Sequence, residues 1–249
     1  MATMLHDKVA LVTGATGGIG AQIVSRLAQE GASVVVGYNS SRQAAEALIS
    51  TLAPGDHLVA EAAVTDSGCL ARLAEQIDKR FGRLDILVNC AGITRFVPHP
   101  DLDSLDDALI DRILSVNVRG VIATTRAMRP LLDRTGNGVV VNISSIAGVT
   151  AMGSNIAYCA SKAAVDNLTK SLARALAPKI RVVSVSPGVV DTDFIKGRDE
   201  SWRDEQASRT PLGRLGTPDD VAEAVLAAAA QLRFATGVVI PVDGGRPLA

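Results

Sequence analysis

Short apolar runs rich in β-branched residues alternate along this chain with longer stretches in which apolar positions recur every three or four residues. Val9 to Thr13 is the first compact run. A helix is predicted from Gly18 to Glu30, with Ile19, Ile23, Leu27 and Ala28 on one face and Gly31 placed to stop it. Ser33 to Tyr38 forms a second run, followed by an alanine-rich helix to about Leu52 and a Pro54-Gly55 turn. His57 to Val64 reads as a weaker strand, and Ser67 to Phe81 as a helix terminated by Gly82. Leu84 to Asn89, Val139 to Ile143, Ile180 to Ser186 and Val238 to Val242 supply the remaining strands. Between them lie a helix from after Ser104 toward Leu132, another from Tyr158 to Ala177, and a third from Thr217 to Phe234 with Pro218 at its start.

Strands apolar at consecutive positions are buried on both faces. With helices between them, they predict a parallel sheet covered on both sides, an α/β architecture of about seven strands. No linker interrupts the rhythm, so residues 1–249 are expected to form one domain. The least regular stretch, around residues 190–215, contains Lys196, Gly197, Arg198, Asp199 and Glu200 and is expected to be a lid or a solvated loop.

Composition narrows the picture. Of 249 residues 47% are hydrophobic and 20% charged, which excludes a disordered chain. A formal charge of −1 argues against a nucleic-acid-binding surface. The three cysteines (Cys69, Cys90 and Cys159) form no C-x-x-C pair and read as reduced thiols of a cytoplasmic protein. His6, His57 and His99 are widely separated, and no metal is expected. No apolar run approaches the ~18 residues of a membrane span.

Thr13-Gly14-Ala15-Thr16-Gly17-Gly18-Ile19-Gly20 joins the first strand to the first helix. Glycines there admit backbone angles closed to other residues, and the helix start offers free N–H groups to a pyrophosphate. A ribose-binding carboxylate would fall about twenty residues beyond the glycines in an NAD-specific site. That place holds Tyr38, followed by Asn39, Ser40, Ser41 and Arg42: neutral donors and one guanidinium, suited to a 2′-phosphate. NADP is therefore expected ahead of NAD. The alternative is that Arg42 simply opens the next helix in solvent.

Tyr158 and Lys162 are four apart on a predicted helix and share a face. Ser144 and Ser145 follow the fifth strand; either could supply a functional hydroxyl or a turn, and the spacing to Tyr158 favours Ser145. Asn117 lies in mid-helix against its propensity.

Together these segments resemble the short-chain dehydrogenase/reductase family over nearly the whole chain. The resemblance rests on the glycine loop, Asn89-Cys90-Ala91-Gly92, Asn117 within Val116 to Gly120, Ser145, Tyr158-Cys159-Ala160-Ser161-Lys162, Pro187-Gly188 with Thr192, and Asp243-Gly244-Gly245. It implies a Rossmann-type doubly wound sheet and hydride transfer between a nicotinamide and a carbonyl or alcohol. Tyr158 would be the general acid/base, Ser145 would hold the substrate oxygen, and Lys162 would bind the nicotinamide ribose. Asn117 would hold a water relaying protons from Lys162. A free tyrosine with a pKa of ~10 is a poor base, and the adjacent ammonium and a nicotinamide cation are expected to lower it by about three units, roughly 4 kcal/mol.

By the same resemblance Asn89, Ala91 and Gly92 pass under the adenine ribose, Val64 flanks the adenine, and Pro187, Gly188, Val190 and Thr192 meet the nicotinamide. Two departures stand out. Ala63 replaces a common aspartate, leaving adenine recognition to backbone groups or Asp66, and Gly17 stands where many NADP-dependent members carry arginine. Met152, Phe194, Ile195 and Trp202 either line a substrate pocket or pack the lid.

The pattern looks like the 3-oxoacyl carrier-protein reductase and carbonyl reductase branch, although Arg134 and Lys179 make only a thin basic patch for an acidic carrier. The leading expectation is an NADPH-dependent carbonyl reductase acting on 3-oxoacyl thioesters. The alternatives are an NAD(P)-dependent dehydrogenase of a secondary alcohol, sugar or polyol, and a non-enzymatic cofactor sensor. A small-molecule substrate and a homotetramer are implied, with no nucleic acid or membrane partner.

Overall fold

The computed structural model describes residues 3–192, 194 and 199–248. Its strands are β1 (Val9–Thr13), β2 (Ser33–Tyr38), β3 (Leu58–Glu61), β4 (Ile86–Asn89), β5 (Gly138–Ile143), β6 (Ile180–Pro187) and β7 (Val239–Val242). All seven pair in one parallel sheet ordered β3-β2-β1-β4-β5-β6-β7. The order reverses between β1 and β4, so a crevice opens at the carboxyl ends of those two strands, where open α/β sheets bind ligands.

Alternation along each strand explains the two layers. Ala10, Val12, Val34, Val36, Val88, Val141 and Val185 face one cluster, with Ile23, Val24 and Leu27 of α1 (Gly18–Gln29) and Val221 and Val225 of α9 (Pro218–Leu226). Leu11, Val35, Leu87, Val140 and Val182 face the other. There they meet Leu70, Leu73 and Ile77 of α3 (Ser67–Phe81), Met128 and Leu132 of α5 (Gly120–Asp133), and Ala173 of α7 (Ile156–Leu176). Each fully buried Val, Leu or Ile contributes on the order of 1.5–3 kcal/mol.

The expected long helix after Ser104 is three segments: α4 (Asp107–Leu114), a π-helical turn (Ser115–Arg119) and α5. The turn carries Asn117 and gives its unfavourable mid-helix placement a reason. The predicted strands from His57 and Leu84 begin later, at Leu58 and Ile86. His57 instead accepts a hydrogen bond from the Val34 N–H at Nδ1 (3.1 Å). Asp85 turns its carboxylate onto the Val9 N–H (3.0 Å) and onto Lys8 and Arg83.

The helix expected to reach Phe234 leaves α-geometry at Leu226 and ends in a second π turn, Ala227–Gln231. Arg181 collects the carbonyls of Ala228, Ala229, Leu232 and Ala235 there. Three helices complete the set: α2 (Arg42–Ile49), α6 (Ala147–Thr150) and α8 (Glu200–Ser208). The last lies inside the irregular 190–215 stretch. It buries no residue, so no apolar period announced it; its signal is the N-cap, where Asp199 accepts from the Trp202 N–H at 2.9 Å.

Candidate active site

At the carboxyl end of β1 the chain turns so tightly that side chains are excluded. Gly14 has φ +65°, and a Cβ on it would stand 2.8 Å from the Ala91 backbone. A Cβ on Gly20 would run into the Gly14 carbonyl, and one on Gly18 would meet Thr192 at 3.0 Å. Thr13 locks this corner: its hydroxyl accepts the Cys90 and Ala91 N–H groups, both at 3.2 Å. No side chain caps α1 at Gly17, so its first N–H groups stay open beside exposed Gly17 and Gly18, with Thr16 and Ile19 half-buried. A glycine cradle with an uncapped helix dipole fits a dinucleotide pyrophosphate.

Tyr38 is half-buried at the end of β2, and Asn39, Ser40, Ser41 and Arg42 follow it, all exposed. No side chain caps α2 either. Arg42 donates to Glu46 at 2.8 Å, and Glu46, with a smaller contribution from Tyr38, holds the guanidinium firmly protonated. Val64 is buried, and a Cβ on Gly120 would collide with it. Asp66 Oδ1 is committed to capping α3, accepting from the N–H groups of Gly68 (2.7 Å) and Cys69 (3.1 Å), which holds the carboxyl below its usual range.

The second half of the site gathers at the ends of β4, β5 and β6. Lys162 projects from α7 into the sheet, 7% exposed, and donates from Nζ to the Ile143 carbonyl at 2.8 Å. The same ammonium lies 5.7 Å from the centre of the Tyr158 ring. Ser145, just beyond β5, is half-buried and hydrogen-bonded with the Tyr158 phenol. This separates the two serines: Ser144 is buried and donates to the Lys162 carbonyl at 3.3 Å, so it is structural.

Asn117 accepts the Ile93 N–H at Oδ1 (2.9 Å) and donates from Nδ2 to the Ile93 carbonyl and the Ser161 hydroxyl, both at 3.1 Å. Both amide protons are thereby used. Gly92 lies between: a Cβ there would stand 3.6 Å from Asn117 Oδ1 and 3.8 Å from Lys162 Nζ.

The protein's own contribution to the tyrosine runs against the acidification expected from an ammonium and a nicotinamide cation together. Burial pushes the Tyr158 phenol up to about 12, outweighing the Ser145 hydrogen bond that pulls it down. Lys162 is pushed down to about 8, again by burial, which the neighbouring Cys90 and Asp166 only partly offset. The apolar surroundings disfavour both charged forms, so the protein alone stores a neutral phenol rather than a phenolate.

The Asn89 side chain is committed within the protein, leaving only its backbone for a ligand at the end of β4. Asn89 is 4% exposed and donates to Asn142 (2.9 Å) and Thr125 (3.3 Å), while Asn142 donates to Thr169 (2.9 Å). That buried chain ties β4 and β5 to α5 and α7. Pro187 is buried; Gly188 and Val190 are half-buried, and a Cβ on Gly188 would strike the Asp243 backbone at 2.9 Å. Phe194 stacks at a tilt on Tyr158, ring centres 6.2 Å apart. Met152 is more than half exposed after α6, Trp202 sits half-buried on α8, and Ile195 lies outside the described residues.

Sequence reasoning missed Asn155. It caps α7 by accepting the Tyr158 N–H at 2.7 Å and donates back to the Arg95 carbonyl at 2.7 Å, which fixes the first turn of the helix that carries Tyr158 and Lys162. An asparagine three residues before Tyr158 was the available signal. Ser161 was likewise hidden: it donates to the Tyr158 carbonyl at 2.7 Å and accepts from Asn117. Among the described residues, no cluster of three or more His, Cys, Asp or Glu could hold a metal ion, and no helix is long and apolar enough to cross a membrane.

This arrangement of glycine cradle, tyrosine, lysine and serine on a reversed parallel sheet defines an oxidoreductase of the Rossmann type. The chain belongs to the short-chain dehydrogenase/reductase family. The sequence model of a family described as enoyl-(acyl carrier protein) reductase matches residues 14–246. A protein of Streptomyces violaceoruber, assigned as ketoacyl reductase 2 of the granaticin polyketide synthase, is 42% identical over 96% of each chain. The 3-oxoacyl-(acyl-carrier-protein) reductase of Thermotoga maritima is 36% identical, over 97% of this chain and 98% of its own. The cis-4-hydroxycyclohexanecarboxylate dehydrogenase of Sinomonas cyclohexanicum is also 36% identical, over 98% of each. A crystal structure assigned to the short-chain dehydrogenase/reductases, from Burkholderia xenovorans, superposes with a TM-score of 0.91 at 38% identity, covering 97% of this chain and 98% of that one.

Proposed function

We propose that this protein is an NADP-dependent carbonyl reductase whose leading substrate is a 3-oxoacyl thioester. The observation that carries this reading is the buried Lys162 ammonium beneath a neutral Tyr158 phenol hydrogen-bonded with Ser145. A nicotinamide dinucleotide, when bound, would supply the hydride for the carbonyl carbon. Tyr158 gives its proton to the carbonyl oxygen, so the C=O becomes a CH–OH and the phenol becomes a phenolate. A phenol kept protonated by burial is in the correct state to donate. Ser145 holds the same oxygen in line. Lys162 stabilises the phenolate until solvent returns the proton. Asn117 fixes Ile93 against α7 and keeps one Oδ1 lone pair for a water on that return path.

The cofactor would lie with its pyrophosphate on Gly14, Thr16, Gly17, Gly18, Ile19 and Gly20. Its 2′-phosphate would meet Ser40, Ser41 and Arg42, its adenine Val64, and its nicotinamide the Pro187 to Thr192 segment. Arg42 offers a permanent cation, and no carboxylate follows Tyr38 before Glu46. The protein acts as one domain and a cytoplasmic homotetramer in this reading, supported by three free cysteines and by exposed Leu232, Phe234 and Leu248 near the outer strand.

A secondary-alcohol dehydrogenase is the second reading. It is favoured by the Sinomonas relative and by Arg134, whose guanidinium is bound to Asp78 at 2.5 Å and is thus neutralised as part of a carrier-docking patch. Steady-state assay of 3-oxoacyl thioesters and cyclic ketones with NADPH and NADH, and of the matching alcohols with the oxidised forms, decides. The highest kcat/KM is expected for NADPH with the thioester. A preference for NAD with a cyclic alcohol would establish the second reading.

A further inference from the structure

We propose that Arg246 is a positioning residue for the substrate side of the site, acting through α8; this rests on the reading that the segment beyond β6 borders the substrate.

Helix α8 leaves Trp202 and Ala207 half-buried and no residue fully buried, and polar tethers hold it as well. Arg246, 8% exposed in the turn after β7, donates from Nη2 to Gln206 Oε1 at 2.9 Å and from Nη1 to the Gln206 carbonyl at 3.3 Å. The Thr210 hydroxyl donates to that same carbonyl at 2.9 Å. Arg246 is itself seated on the core. Its N–H bonds the Asp243 carbonyl (3.1 Å), and Asp243 packs under Gly188 so closely that a Cβ there would not fit. The Leu212 N–H closes the return of the segment onto Gly244 at 3.1 Å.

At its other end α8 reaches the site. Arg203 donates to Asp191 at 2.9 Å. The next residue, Thr192, lies against Gly18 of the phosphate loop, and Phe194 stacks on the Tyr158 ring. The Val190–Gly216 bridge, with the Asp191 N–H on the Gly216 carbonyl at 2.9 Å, pins the neck of this excursion to the sheet. A rigid neck and a tethered helix thus fix Thr192 and Phe194 between them, and Arg246 is the core-side anchor of that tether. Burying a guanidinium has a desolvation cost, which the carbonyl and amide of Gln206 offset only while α8 stays docked.

Trp202, the chain's one tryptophan, sits on α8 and reports its docking directly. In Arg246→Gln, the KM for a 3-oxoacyl coenzyme A thioester should rise about tenfold with kcat within about twofold, as befits loss of a charge-assisted bond that orders a wall rather than reacting atoms. Acrylamide quenching of Trp202 should increase. Gln206→Ala, on the exposed helix, should reproduce both effects in milder form and stands in if the Arg246 variant does not fold. Gln206→Glu, which keeps the acceptor, should restore wild-type quenching. Unaltered quenching and KM in an active Arg246→Gln or Gln206→Ala protein would overturn the proposal. If the wild-type enzyme does not turn over the thioester, the substrate reading fails while Trp202 quenching still tests the tether.

Discussion

The two ends of the crevice are built on opposite plans. At the catalytic end, Asn117, Ser144, Asn155, Ser161 and Lys162 are hydrogen-bonded to the protein itself before any substrate arrives. At the phosphate end the helix starts of α1 and α2 are left without side-chain caps, whereas α3, α7 and α9 are capped by Asp66, Asn155 and Thr217. Reacting groups must be held in place in advance, because reorganisation during the chemical step adds to the barrier. Binding groups can instead complete their hydrogen bonds with the ligand. The open starts of α1 and α2 are thus free to bond a ligand, whereas the polar groups around Tyr158 are already satisfied by the protein.

The largest break in this comparison is expected at the phenol. Tyr158→Phe keeps the ring on Phe194 and removes only the hydroxyl, so kcat should fall by about 10³ while cofactor affinity is retained. Stopped-flow fluorescence on cofactor binding, with single-turnover kinetics, separates the two. Undiminished turnover would move the general acid elsewhere.

Behind the catalytic end, Asn142→Ala should be the costliest change with no contact to the site. It breaks the buried chain from Asn89 to Thr169 and should lower folding stability by about 2–3 kcal/mol. Urea denaturation measures this, with the m-value unchanged. At the phosphate end the corresponding change is cheap for stability and costly for recognition. Arg42→Ala removes an exposed guanidinium whose ion pair with Glu46 contributes little. It should raise the NADPH KM by roughly 10–100-fold and leave that for NADH in place. Equal effects on both cofactors would mean that Arg42 serves α2 and not the ribose.

The same contrast explains what could be read from the chain. The apolar runs Val9–Thr13 and Ser33–Tyr38 coincide with β1 and β2, and Ser67–Phe81 with α3, because consecutive or periodic burial leaves its mark in composition. Helix α8 left no such mark, being held by polar tethers at Gln206 and Arg203. The glycine loop was legible through its steric demand. Roles that depend on long-range partners were not: nothing local distinguishes Asn89, bonded across the sheet to Asn142, from an asparagine turned toward a ligand. The charge states that the protein alone favours were hidden for a related reason. An ammonium four residues from a phenol suggests an acidified tyrosine, but the depth of burial that raises Tyr158 is a property of the assembled sheet and α7.

Burial of both groups gives a pH dependence whose sign can be worked out. Reduction needs Tyr158 protonated and Lys162 charged. With the phenol at about 12 and the ammonium at about 8, both conditions hold below about pH 8. As pH rises through 8, Lys162 loses its proton first, and kcat/KM for the ketone should fall about tenfold per unit, with no limb from Tyr158 until far higher. Stability moves the other way. The folded-state value of Lys162 lies below its unfolded value of 10.5, so the unfolded chain binds more protons between about 8 and 10.5, and this group's contribution to folding becomes more favourable as pH rises across that window. Lys162→Met abolishes the titration and should remove both trends: residual activity flat across pH 8, and a difference in Tm from wild type that shrinks toward pH 10. A wild-type activity limb that survives in this variant would assign the proton to another group, with Cys90, pushed up to about 11 beside the same ammonium, excluded by its value.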